Sequence, residues 1–100
     1  MKVTIEQSEG KYLVTLVGNL DSYVSEEVAQ QFEQLYDLED TEITLDCTNL
    51  DYIASSGLRL FFMLVRSVSP NGCKIIVKGA QKPVMEVFDL TGFTDFFTFV

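Results

Sequence analysis

Apolar and polar residues first alternate along this chain and then fall into step with a helix. Val3, Ile5 and Gln7, and then Tyr12 to Val17, follow the two-residue period of a half-buried strand, and Ser8-Glu9-Gly10-Lys11 between them reads as a hairpin turn. Gly18 breaks the alternation, and Asn19-Leu20-Asp21-Ser22 reads as a loop. From there the period lengthens: Val24, Val28, Phe32, Leu35 and Tyr36 recur at helical spacing, so one face of this segment belongs to the core. Asp21 or Ser22 can cap the helix, and Glu26 and Glu27 sit in its first turn, where the helix dipole favours negative charge.

Ile43, Leu45 and Cys47 then alternate as a third strand after the acidic stretch from Glu39 to Glu42. The strand reads as ending at Asp46, with a polar turn leading into a helix that opens at Ala54-Ser55-Ser56-Gly57-Leu58 and runs to about Val68. Pro70-Asn71-Gly72 is a stop signal, and Lys74-Ile75-Ile76-Val77 is a fourth strand whose nearly continuous apolar run suits coverage on both faces. Pro83 fits the first turn of a third helix with Val84, Val87 and Phe88 inward, and Thr91-Gly92 ends it, leaving Phe93 free to pack back on its last turn. Phe96 to Val100 form a short last strand or a docked tail. The order ββαβαβαβ implies an α/β fold in a single domain spanning residues 1–100: a mixed sheet of four to five strands with about three to four helices packed on it. The crossovers from Ile43 through Ile75 to Phe97 should be parallel and right-handed.

Composition narrows the chemistry. Fifteen acidic residues against seven basic ones give a formal charge of −8, which argues against nucleic acid and against anionic membrane surfaces, and favours a basic protein partner. The longest fully apolar run, Leu60 to Val65, is too short to span a bilayer, and the N-terminus alternates where a signal peptide would be apolar. These features point to a cytoplasmic chain. There is no histidine, which removes Ser-His-Asp and Cys-His catalysis and the commonest metal ligand together. Cys47 and Cys73 lack Cys-x-x-Cys spacing and read as buried small hydrophobes, while Asp46 and Asp51 have no spacing that marks a metal site. No cofactor is expected.

The remaining chemistry gathers at the second helix. Two hydroxyls and a glycine at a helix N-terminus favour negative charge nearby, so Ser55 reads either as an N-cap or as a phosphate acceptor, with Ser56 the second choice. Gly57 in a first turn costs roughly 1 kcal/mol against alanine, which suggests that something needs close access to the backbone there. Leu58, Phe61, Phe62, Val65 and Val68 form the inward stripe, whereas Leu60, Met63 and Leu64 fall on or toward the other side, kept polar only by Arg59, Arg66 and Ser67. Either more than the sheet buries this helix, or it offers an apolar surface to a partner. The loop at Asp21 and Ser22 leaves the same end of a strand as the Ser55 loop, so the two are expected to share one edge of the sheet.

Gly18-Asn19-Leu20-Asp21, the run from Leu45 through Ser55-Ser56-Gly57 to Leu58, and Val87-Phe88-Asp89-Leu90-Thr91-Gly92-Phe93 together resemble the STAS domain of bacterial anti-sigma factor antagonists, over nearly the whole chain. The resemblance implies a regulatory binding protein and not an enzyme. In that family an anti-sigma factor with a GHKL-type ATPase fold phosphorylates a serine matching Ser55, and the unphosphorylated domain binds that factor and releases a sigma factor. A PP2C-type phosphatase resets the switch. Asp21, Ser22, Ala54, Ser55, Ser56, Gly57, Arg59, Leu60 and Met63 would form the contact surface. Ala54 stands where many members carry Asp, and Arg59 where a small residue is common. The alternative is an accessory subunit of an ABC-type transport complex that binds without phosphorylation. A third reading makes Ser55 a nucleophile with Lys74, Lys78 or Lys82 as its base.

Overall fold

The computed structural model describes residues 1–100. The first hairpin joins β1 (Lys2–Ser8) to β2 (Lys11–Leu20) through Glu9 and Gly10, whose φ values of +53° and +76° are those of a tight primed turn that matches the twist of the two strands. The chain continues through α1 (Ser25–Phe32), β3 (Glu42–Ile53), α2 (Ser55–Val68), β4 (Lys74–Lys78), α3 (Lys82–Thr91) and β5 (Thr98–Phe99). The sheet has the spatial order β1-β2-β3-β4-β5; β1 and β2 are antiparallel and every later pair is parallel, as the crossover reading required. No helix is long and apolar enough to cross a membrane.

Both long strands outrun the boundaries expected from sequence. Gly18 does not end β2: it adopts φ +109° at a register shift, and the strand resumes through Leu20. β3 likewise continues past Asp46, skips register between Asp46 and Asn49, and pairs Leu50, Tyr52 and Ile53 with Gly18, Asn19 and Leu20. A bulge adds an unpaired residue and bends a strand without ending it, so the alternating pattern is lost where the pairing is not. The consequence is functional: β2 and β3 finish side by side, and the loops that follow them share an edge.

Only one face of the sheet is covered. Val14, Leu16, Ile43, Leu45, Cys47, Ile75 and Val77 point into the core with the helices, whereas Leu13, Thr44 and Ile76 on the other face are half-buried. The double coverage expected for β4 is therefore corrected: Ile76 is apolar on the open side. One phenylalanine from each helix links the layer, Phe32 of α1 to Phe61 of α2 and Phe61 to Phe88 of α3, with ring centroids 6.1 Å apart in each pair. Phe97 and Phe99 meet Phe88 edge-on at 5.3 Å and fasten the C-terminal strand. Each such pair adds about 0.5–1.5 kcal/mol beyond its buried area.

The phase of α2 also differs from the sequence reading. Leu58, Leu60, Phe61, Leu64, Val65 and Val68 are buried, while Phe62 is half-buried and Met63 exposed. Leu60, at 7% exposure, and Leu64 are core residues and not part of an outward surface. α2 lies between α1 and α3, so it buries a wider arc than a helix resting on a sheet alone. Phe93 packs back beyond Gly92, and its ring stacks on Phe62 of α2 with centroids at 4.5 Å. Gly92 ends α3 in the left-handed region at φ +74°, with its N–H donating to the Phe88 carbonyl. Of the two cysteines, Cys47 is fully buried and burial pushes its thiol up to about 12. Cys73 is only half-buried, its Sγ–H donating to the Leu38 carbonyl at 3.4 Å.

Candidate functional site

The β2 and β3 ends bring the two predicted loops together. The Ala54 N–H donates to the Leu20 carbonyl at 2.9 Å, and Leu20 pairs with Ile53, so the residue after one strand is tied to the last residue of the other. Gly57 completes this junction. A Cβ there would lie 2.6 Å from Leu20 Cγ and 2.9 Å from the Leu20 carbonyl oxygen, so the close access that glycine implied is required by β2 itself.

Asp21, not Ser22, organises the first loop. Its carboxylate accepts from the Tyr23 and Val24 N–H groups at 3.0 and 3.3 Å, while Ser22 is exposed in the turn. Ser25, only 8% exposed, donates its hydroxyl proton to the Asp21 carbonyl at 2.7 Å and lies 3.1 Å from Ser56 Oγ. Since the Ser25 proton is directed to Asp21, Ser56 is the donor in the serine pair. Ser25 thus bolts the start of α1 to the start of α2. Sequence reasoning missed it, although a signal existed: Ser25 precedes Val28 by three residues and so sits on the core-facing stripe of α1.

The two serines of the motif therefore differ. Ser56 is half-buried and engaged, whereas Ser55 is exposed as the first residue of α2. Ser55 does not occupy the capping position assigned to it as one alternative. That place falls to Ala54, in extended backbone at φ −82° and ψ 166°, with no side chain to offer the first amides. The opening turn of α2 also lacks any acidic residue. Its positive dipole end is left without a side-chain anion, and the Ser55 hydroxyl stands beside it.

From Ser55 an open groove of about 530 Å³ runs along α2 to the end of α3, lined by Leu58, Arg59, Phe62, Met63 and Arg66 with Thr91 and Phe93 opposite. Phe62 stacks on Phe93, and the Arg66 guanidinium lies 5.9 Å from the Phe62 ring centre. Tyr23, 93% exposed, and Tyr52, 50% exposed, stand on the loop after β2 and at the end of β3. Tyr23, Tyr52, Arg66 and Phe93 were not among the surface residues expected from sequence. Of the expected contact residues, Ser55, Arg59 and Met63 line this groove, Asp21, Ser22 and Ala54 belong to the loops at its Ser55 end with Ser56 in the first turn of α2, and Gly57 and Leu60 are buried, Gly57 against Leu20 and Leu60 in the core.

Other acidic and basic groups have local duties. Asp46 accepts from the Thr48 hydroxyl and N–H, which hold its carboxyl below the usual range, and Lys78 opposite it in the register adds to the effect. Asp51 accepts from the Gln81 amide. Lys74 lines a polar recess of about 540 Å³ at the start of the parallel strands, the far end of the sheet from Ser55, so it cannot serve that hydroxyl as a base.

Comparison with known proteins agrees with this geometry. The STAS domain family model matches residues 2–100. The anti-sigma F factor antagonist of Paenibacillus polymyxa is 27% identical over 93 residues, covering 92% of this chain and 80% of that protein. The structure of the anti-sigma factor antagonist SpoIIAA in its unphosphorylated form superposes with a TM-score of 0.82 at 19% identity, covering 99% of this chain and 88% of the other. The phosphorylated form of the Bacillus cell fate determinant SpoIIAA gives 0.75 at 16% identity, covering 99% and 91%. With its order of strands and helices, its paired loops and its matched length, this chain belongs to the STAS domain family.

Proposed function

We propose that this chain is an anti-sigma factor antagonist, cytoplasmic and not itself an enzyme, that works as a phosphorylation switch at Ser55. Unphosphorylated, it binds an anti-sigma factor and so releases a sigma factor; with phosphate on Ser55 it no longer binds. The observation that carries this reading is the asymmetry of the two serines: Ser56 is tied to Ser25, while Ser55 stands exposed at a positive helix end above the groove. The names of the relatives support antagonist action over a transport-complex subunit.

In the reaction proposed, the kinase is the anti-sigma factor itself, with a GHKL-type ATPase fold. The Ser55 Oγ attacks the γ-phosphorus of ATP, the bond to the bridging oxygen breaks, ADP leaves, and the hydroxyl proton passes to solvent or to a base of the kinase. A PP2C-type phosphatase returns the chain to its starting state by hydrolysis. The added charge of about −1.5 to −2 is tolerated by the free domain, because the α2 dipole favours it. In the complex the same charge must be desolvated against the partner, and binding is lost with no rearrangement of the fold. Ala54 does not prevent this, since the kinase supplies the catalytic groups and the chain supplies only a presented hydroxyl.

The test is to incubate the protein with its cognate kinase and ATP and to map the product by mass spectrometry. Phosphate is expected on Ser55, retained in Ser56→Ala and lost in Ser55→Ala. Phosphate at another position, unaffected by Ser55→Ala, would refute the assignment.

A further inference from the structure

We propose that β1 is a self-pairing edge: two copies of this chain join antiparallel through it, about a two-fold axis at Thr4, into one continuous sheet with five strands from each copy. β5 closes the other end of the sheet with two residues, whereas β1 offers seven, with no proline and no register shift along its pairing to β2. Native sheets blunt an edge with shortness, proline, a bulge or charge. Only charge is present here, as Lys2 and Glu6.

The hairpin determines which groups are free. Its two-residue turn makes Ser8 and Lys11 a hydrogen-bonded pair, and such pairs alternate along antiparallel strands. Lys2, Thr4 and Glu6 therefore bond to β2, while the N–H and C=O groups of Val3, Ile5 and Gln7 point outward, and no turn or loop satisfies them.

A second copy brings the same free groups, so the axis must pass through a residue position and not between two. Centred on Lys2 or Glu6, it sets like charges opposite each other. Centred on Val3 or Ile5, it sets Lys2 opposite Thr4 or Ser8 and leaves both charges unmatched. Centred on Thr4, it makes Val3 and Ile5 hydrogen-bonded partners and sets Thr4 opposite Thr4 and Lys2 opposite Glu6, on both sides of the axis. Threonine pairs and opposite charges are favourable across strands, and these fall at the positions where side chains stand closest. Val3 and Ile5, half-buried on the helix side, cover one another there.

The −8 charge of each chain acts against association at long range. At about 0.15 M salt, charges more than about 8 Å apart are screened, and β1 itself carries one charge of each sign. The contact is small, so the dimer belongs to the weak, reversible class. Because the axis stands normal to the sheet, both helix layers lie on one side and the two ends bearing Ser55 point apart. Each stays open to a partner, and the pairing does not depend on the function proposed for Ser55.

The experiment is sedimentation of the full chain from about 10 μM to about 1 mM at about 0.15 M salt, with circular dichroism to check folding. The samples are wild type, K2E, E6K, the double variant K2E/E6K, and an equal mixture of the two single variants. We expect a wild-type dimer with a dissociation constant of about 0.1 mM and a loss of about tenfold or more in each single variant. The double variant and the mixture should both recover the dimer, since each again sets lysine opposite glutamate. In a C73S background, T4C should be trapped as a disulfide-linked dimer on mild oxidation, and S8C should not. Wild type remaining monomeric at the highest concentration would overturn the inference. So would a dimer that K2E and E6K leave intact, which would place the contact on another surface, or T4C and S8C linking equally. None of these results bears on the switch proposed at Ser55.

Discussion

Gly57 and Ala54 show how closely single residues are set at the start of α2. Alanine is the better helix former by about 1 kcal/mol, yet at Gly57 its Cβ would meet both the side chain and the carbonyl of Leu20. A backbone oxygen cannot step aside, so the clash wins: Gly57→Ala should destabilise by about 1–3 kcal/mol, read as a lower urea midpoint with unchanged slope. Ala54 is the opposite case. It already has the extended backbone of a capping residue but no acceptor, so Ala54→Asp should stabilise by about 1 kcal/mol and raise the melting temperature by about 4–8 °C. An unchanged melting temperature would mean that the first amides of α2 are satisfied in some other way. Ser25→Ala removes the oxygen that accepts from Ser56 and leaves the Asp21 carbonyl with only the backbone N–H of residue 25, and should cost about 1–2 kcal/mol; Ser22→Ala, in the exposed turn, should cost less than about 0.5.

At the scale of elements, the α2 stripe separates what sequence could tell from what it could not. Leu64→Ala should cost about 2–5 kcal/mol and Met63→Ala less than about 0.5, although the two are adjacent and both were read as outward. Denaturation curves for the pair would check the phase directly. Helix existence, order and ends were legible because alternation, period and the stops at Pro70-Asn71-Gly72 and Thr91-Gly92 are local signals. The arc that a helix buries is not local: it depends on the neighbours α1 and α3 as well as on the sheet. The bulges in β2 and β3 escaped for the same reason, since a residue skipped between strands leaves no mark on one strand alone. At the candidate site, Ser55, Asp21 and Gly57 were legible as residue types in a motif. Ser25 and Phe93 were not, because their contacts to Ser56 and Phe62 cross between elements, whereas Arg66 over Phe62 is a pair four residues apart on α2 that helical spacing already offered.

For the molecule as a whole, stability and switching respond to different charges. Cys47 is buried at the centre of the sheet, and its thiol is pushed from 9.0 to about 12, first by burial and then by Asp46. Between those two values the folded chain keeps a proton that the unfolded chain has released, so stability falls as pH rises through this window and is complete below it. Cys47→Ala should flatten that alkaline slope in denaturant titrations, and a thiol reagent at mildly alkaline pH should modify Cys73 before Cys47. The switch proposed at Ser55 needs none of this: Ser55 is exposed, at a junction already formed by Leu20, Ala54 and Gly57. The most direct test of the central claim is the affinity of the cognate anti-sigma factor for the chain with and without phosphate on Ser55, prepared homogeneously and titrated under one buffer. We predict tight binding of the unmodified chain and a loss of about a hundredfold or more on phosphorylation, reproduced in direction by Ser55→Asp; equal affinity for the two forms would contradict the account.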